Sequence, residues 1–190
     1  METKSIMIVG VGGQGTLLAS RILGNAVISE GYDVKVSEVH GMSQRGGNVV
    51  TYVRYGDKVY SPIIDKGGAD MILAFEELEA LRALPYLKKG GKIIVNTQRI
   101  DPMPVITGAV KYPENIIETL ISSGADVTVA DALKLALKAG NMKAVNVVLI
   151  GIMAKNTSVS KKVWVDTIKK TVPEKFLDVN LAAFELGYNL

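Results

Sequence analysis

At 190 residues, 48% of them hydrophobic and 22% charged, the chain suits one globular α/β domain spanning residues 1–190 with a sizeable core, and argues against disorder. A net charge of +3 from scattered basic residues, with no arginine-rich arm and no apolar run of bilayer-spanning length or leader-like segment, points to a cytoplasmic protein that binds neither nucleic acid nor membrane. The absence of cysteine excludes disulfides, thiolate zinc sites, a cysteine nucleophile and iron–sulfur clusters held by this chain, and the one histidine, His40, cannot build an imidazole-rich metal centre.

The apolar run Ile6 to Val9 reads as a buried parallel strand that leads straight into a glycine-rich turn. A helix over Thr16 to Ser29 follows, with Leu18, Ile22 and Val27 among its buried positions, and Gly31 stops it. Tyr32 to Val39 alternates as a second strand and completes a βαβ unit. The polar stretch His40 to Gly47 fits neither period and is a loop. Val49 to Tyr55 and Val59 to Ile64, separated by Gly56-Asp57-Lys58, read as an antiparallel hairpin, so the sheet is expected to be mixed.

Asp70 to Phe75 returns to the buried-strand pattern, Glu76 to Leu84 to helix, Lys88 to Gly91 to a turn, and Lys92 to Asn96 to strand. Prolines 102, 104 and 113 make the passage from Asp101 to Pro113 an excursion. Pro113 to Ser123 suits a helix opened by its proline, Asp126 to Val129 a strand, and Asp131 to Ala139 a helix that Gly140 ends. Ala144 to Met153 carries apolar residues at helical spacing, best explained by core packing. Helices over Val159 to Thr171, capped by Ser160, and from Pro173 through Phe184 complete the pattern of a doubly wound, Rossmann-like fold.

Gly10, Gly12 and Gly15 have the G-x-G-x-x-G spacing between strand and helix, where one glycine allows the reversal, one a close backbone approach, and one tight helix packing. The helix start they create favours an anion, to which Gln14 and Thr16 are able to donate, although either equally suits a role in orienting the turn. The same glycines equally suit a strand-to-helix connection without a ligand. Glu38 lies where a dinucleotide site places its ribose-binding carboxylate, although a lone match of this kind is weak. His40 is the only imidazole acid or base, a role more often structural than catalytic in a lone histidine. Arg45 is able to grip a phosphate or carboxylate through two donors or to pair with a neighbouring carboxylate.

Three segments together are more specific than any one. Gly10-Val11-Gly12-Gly13-Gln14-Gly15, the run Ser37-Glu38-Val39-His40-Gly41-Met42-Ser43-Gln44-Arg45-Gly46-Gly47, and Tyr60-Ser61-Pro62-Ile63-Ile64 resemble the gamma-type subunit of the 2-oxoacid:ferredoxin oxidoreductases, in particular their indolepyruvate branch. Gly68 to Asp70, Phe75 to Arg82 and Asn146 to Gly151 extend the resemblance over essentially the whole chain. It implies an accessory subunit of a complex that oxidatively decarboxylates aryl 2-oxoacids to acyl-coenzyme A with ferredoxin as acceptor. It also implies that thiamine diphosphate, magnesium and iron–sulfur clusters sit on a larger partner subunit, in a dimer of heterodimers, that Gly12, Gly13, Gln14 and Gly15 contact coenzyme A, and that the loop from His40 to Gly47, with Ser43, Gln44, Arg45 and Gly46, lies at the interface or the approach to the active site. Alternatives are the gamma subunit of a pyruvate or 2-oxoglutarate enzyme, and a self-contained NAD-binding dehydrogenase.

Overall fold

The computed structural model describes residues 2–41 and 46–190. One six-stranded sheet carries the fold, in the order β2-β3-β1-β4-β5-β6. Its strands are β1 (Lys4–Val11), β2 (Asp33–His40), β3 (Asn48–Gly56), β4 (Ala69–Ala74), β5 (Leu87–Asn96) and β6 (Asp126–Ala130). β1, β4, β5 and β6 run parallel, while β3 is antiparallel to both β1 and β2.

The helices are α1 (Thr16–Ser29), α2 (Glu77–Ala83), α3 (Met103–Ile106), α4 (Ile116–Ser122), α5 (Ala132–Lys138), α6 (Val145–Lys155), α7 (Lys161–Thr171) and α8 (Leu177–Tyr188). Strand alternation divides the core between the two faces of the sheet. Ile6 and Ile8 of β1 pack with α1, α5, α6, α7 and α8, whereas Met7 and Val9 pack with α2 and α4. Burial on both sides explains why β1 is apolar throughout its middle rather than alternating. Among the described residues no helix is long and apolar enough to cross a membrane.

Caps fix several helix starts. Ser160 accepts from Val163 N–H at 3.4 Å and Asp131 from Lys134 N–H at 2.9 Å, each satisfying an amide that the first turn leaves unpaired. α6 and α8 approach at backbone distance because each offers a glycine to the other. A Cβ on Gly187 would lie 2.0 Å from the Val148 carbonyl oxygen, and one on Gly151 would lie 2.3 Å from that of Phe184.

Three expectations are corrected. The hairpin expected between Val49–Tyr55 and Val59–Ile64 does not form; β3 pairs instead with β2, from His40 opposite Val49 to Asp33 opposite Gly56. Residues 59–64 have no strand because side chains hold them aside. Asp33 accepts from Val59 N–H at 2.9 Å, and the Arg54 guanidinium donates to the carbonyls of Ser61 and Ile63 at 3.1 and 3.2 Å. Second, β2 does not lie beside β1: the βαβ unit exists, but β3 is inserted between its strands. Third, Pro113 does not open a helix; α4 starts at Ile116 behind Asn115, whose φ is 57°. The turn expected at Lys88 to Gly91 is present as a bulge within β5, where pairing with β4 jumps from Ala69–Leu87 to Met71–Lys92.

Candidate functional site

The glycine turn rises from the carboxyl end of β1, and Gly15 forms the start of α1 in a left-handed conformation, with φ 85°. No side chain caps this helix and its first turn holds no acidic residue, so the positive end of the helix dipole is uncompensated from within. Gly13 has φ 102°, a region closed to most L-residues. The Gly12 amide donates to the Gly47 carbonyl at 2.8 Å, tying the turn to the chain that enters β3.

An open cleft of about 420 Å³ lies over this helix start, within the size range of small-molecule sites. Gly12, Gly13, Gly15, Thr16 and Leu17 form one side, and Glu38, His40 and Val49 form the other. Six of the candidate residues therefore meet around one space: Gly12, Gly13, Gly15, Thr16, Glu38 and His40. Glu38 is half-buried and accepts from the Thr51 hydroxyl at 3.2 Å, while exposed His40 places Nδ1 3.1 Å from the Gly41 carbonyl. One wall thus offers amides and a positive dipole, and the other a carboxylate and an imidazole. That combination suits a ligand bearing both an anionic group and hydroxyl or amine donors.

Other candidates stand elsewhere. Gln14 turns away from the cleft into the crevice between β1 and β4. Its Oε1 accepts from Val11 N–H at 2.7 Å, and its Nε2 donates to the Phe75 carbonyl at 3.0 Å and to Gln98 Oε1 at 3.1 Å. Asn96 joins this network, donating to the same two acceptors at 3.1 and 3.3 Å and accepting from Ala132 N–H. Strand connections leave β1 and β4 in opposite directions, so this crevice is the switch point at which open α/β sheets commonly bind ligands. Here it is filled by amide side chains. Gly10 serves that packing, since a Cβ there would meet Gln14 Oε1 at 2.8 Å and Phe75 at 3.0 Å. Exposed Gly46, with φ 74°, precedes β3 and does not line the cleft. Ser43, Gln44 and Arg45 lie outside the described residues.

Sequence reading missed Leu17 and Val49. Leu17 is 53% exposed at the first turn of α1, off the stripe formed by Leu18 and Ile22, so helical period alone would have turned it outward. Val49 reaches the cleft through its pairing with His40, which only the true hairpin register reveals.

Behind the loop, Asn48 extends the opposite way and donates to Glu79 on α2, whose other oxygen accepts from Arg82 at 2.6 Å. Burial pushes the Glu79 carboxyl above its usual range against the pull of Arg82. Nearby Glu76, 1% exposed, accepts from Tyr112 O–H at 2.5 Å, Ile100 N–H at 3.1 Å and Glu79 N–H at 2.9 Å. These buried carboxylates are fully engaged in anchoring the excursion and the start of α2. Among the described residues no group of three or more metal-binding side chains occurs, and without cysteine the chain has no thiolate to hold an iron–sulfur cluster.

Comparisons with known proteins agree with this architecture. The chain is 45% identical to the indolepyruvate oxidoreductase subunit IorB of Thermococcus kodakarensis, over 98% of this chain and 95% of that protein. It is 41% identical to the subunit of the same name from Archaeoglobus fulgidus, over 97% and 94%. The gamma subunit of a keto/oxoacid ferredoxin oxidoreductase from Geobacter sulfurreducens superposes with a TM-score of 0.74 at 25% identity, over 98% of this chain and 96% of that one. The 2-oxoglutarate:ferredoxin oxidoreductase of Magnetococcus marinus contains the same fold as 31% of a longer chain, with a TM-score of 0.76 at 18% identity over 100% of this chain. Residues 5–190 match the family described as pyruvate ferredoxin/flavodoxin oxidoreductase, and the chain belongs to that family.

Proposed function

We propose that residues 1–190 act as one gamma-type domain, the cluster-free subunit of a cytoplasmic indolepyruvate:ferredoxin oxidoreductase. A larger partner subunit would hold thiamine diphosphate, magnesium and the iron–sulfur clusters. The observation that carries this reading is the pairing of an anion-ready cleft with a chain that has no thiolate for redox clusters. Full-length similarity to subunits named for indolepyruvate supports the choice of substrate.

Within that complex the cleft would receive part of coenzyme A. The free amides at the start of α1 bind a phosphate group, Glu38 accepts from a ribose hydroxyl, and Leu17 and Val49 give the sugar and base apolar contact. A self-contained NAD site is disfavoured by the topology. Insertion of β3 puts the Glu38 strand two sheet spacings, about 10 Å, from β1 rather than about 5 Å, and Gln14 fills the switch point.

Anaerobic co-expression with the large subunit tests the proposal. The two chains co-purify, the complex reduces viologen with indolepyruvate and coenzyme A faster than with pyruvate or 2-oxoglutarate, and Glu38→Ala raises the KM for coenzyme A about tenfold with the KM for indolepyruvate unchanged. Full activity of the large subunit alone would refute the subunit role. An unchanged coenzyme A KM in the variant would remove the cleft from the coenzyme's path.

A further inference from the structure

We infer that a cavity at the opposite end of the sheet is a second ligand site, built for a small organic carboxylate. It encloses about 320 Å³ beneath the amino ends of the parallel strands, where Lys4, Tyr55, Asp70 and Lys92 face the loop from Asn156 to Ser158. The bulge in β5 swings residues 88–91 out of register and opens this end of the sheet.

Tyr55 is the central observation. The residue is only 2% exposed, packed among core side chains with its ring centroid 5.9 Å from that of Tyr32. Yet its hydroxyl has no hydrogen-bond partner among the described residues. No side-chain oxygen or nitrogen there is both fully buried and unpartnered, so this hydroxyl keeps its residual accessibility, and the cavity is where Tyr55 meets open space. A buried phenol aimed into a cavity is a donor waiting for an acceptor.

Charge specifies that acceptor. Asp70 is already engaged, accepting from Ser5 N–H at 2.7 Å and pairing with Lys88 at 2.8 Å, and Asp126 pairs with Lys92 at 2.5 Å. Lys4 belongs to no ion pair among the described residues, so one ammonium is left over. One spare positive charge and one phenol O–H fit a monoanion with two acceptor oxygens. The two engaged carboxylates disfavour a dianion such as sulfate or a phosphate ester. Ile6 and Met71 add apolar wall, which calls for a carbon skeleton behind the carboxylate. Burial, with Asp70 nearby, pushes the Tyr55 phenol up to about 12, so it remains a donor throughout the neutral range.

The test uses 4-fluorophenylacetate with the full chain, followed by fluorine NMR. A probe of that size is expected to saturate with a Kd of about 1 mM. Tyr55→Phe, which keeps the ring, and Lys4→Gln, a change at a strand end, each weaken binding about tenfold, as does replacing the probe by its uncharged amide. His40→Ala, altered only at the glycine cleft, leaves the Kd at the wild-type value, and sulfate does not compete. The inference is overturned by absence of saturable binding at about tenfold the expected Kd, by equal affinity in both Tyr55→Phe and Lys4→Gln, by equal affinity for the amide, by loss of binding in His40→Ala, or by competition from sulfate.

Discussion

Replacing Gln14 by leucine separates two roles that a glycine-rich turn leaves open, ligand contact and internal brace. Leucine keeps the bulk of the side chain and removes its three hydrogen bonds. The Phe75 carbonyl and Gln98 Oε1 both retain Asn96 as donor, so those losses cost little. Val11 N–H loses the acceptor it held at 2.7 Å, and Val11 is 5% exposed. An orphaned amide of that kind costs about 1–3 kcal/mol, and the weakened network adds a fraction more, for a total of about 2–3 kcal/mol. In a chain of this length each kcal/mol lowers Tm by about 2–4 °C, so calorimetry should show a fall of about 5–10 °C. Urea unfolding should give a lower midpoint with an unchanged slope, and, on the proposed assignment of the cleft to coenzyme A, the KM of the complex for coenzyme A should stay within about twofold of wild type. A variant with wild-type Tm and a complex whose KM for coenzyme A rises about tenfold or more would show that Gln14 faces the proposed ligand and that the brace is misassigned.

Two further outcomes follow from the packing. Gly187→Ala pushes a methyl into the Val148 carbonyl, where a Cβ would sit 2.0 Å away, so α8 must lift off α6; a loss of about 3 kcal/mol or more in denaturant unfolding is expected, and a loss below about 1 kcal/mol would contradict the backbone contact. Alkaline pH destabilises the fold through its buried phenols. Tyr55 is raised from 10.0 to about 12, chiefly by burial, and Tyr112 is raised too, by burial and then by its hydrogen bond to Glu76. Because the folded state holds these protons more tightly, their stabilisation is full below pH 10; the Tyr55 part is lost as pH rises through about 12, and the Tyr112 part falls in the same direction at still higher pH. The Tyr55 contribution is at most about 2–3 kcal/mol and should be absent from the pH profile of Tyr55→Phe.

Local features of the fold were legible because they depend on near neighbours in sequence. The continuous apolar run of β1 announced a strand covered on both faces, and Ser160 marked the start of α7 by a bond spanning three residues. Strand order was not legible. Gly56-Asp57-Lys58 looked like a hairpin turn, but Arg54 and Asp33 hold the following residues out of the sheet, and no local pattern encodes those contacts. The site divides the same way. Gly12 and Gly15, which line the cleft, were legible from their spacing, while the position of Gln14 depends on Phe75 and Gln98, which lie 61 and 84 residues away.

The glycine-to-glycine seam between α6 and α8 has a consequence for the newborn chain. Nine of the eleven residues of α6 are buried in the finished fold, and much of their cover comes from α8, which is translated later. Until α8 docks, an almost wholly apolar helix lacks its cover, which makes this segment the natural point for chaperone capture and for aggregation during rapid overproduction. Slowing synthesis does not shorten the exposure; lowering the number of chains exposed at once does.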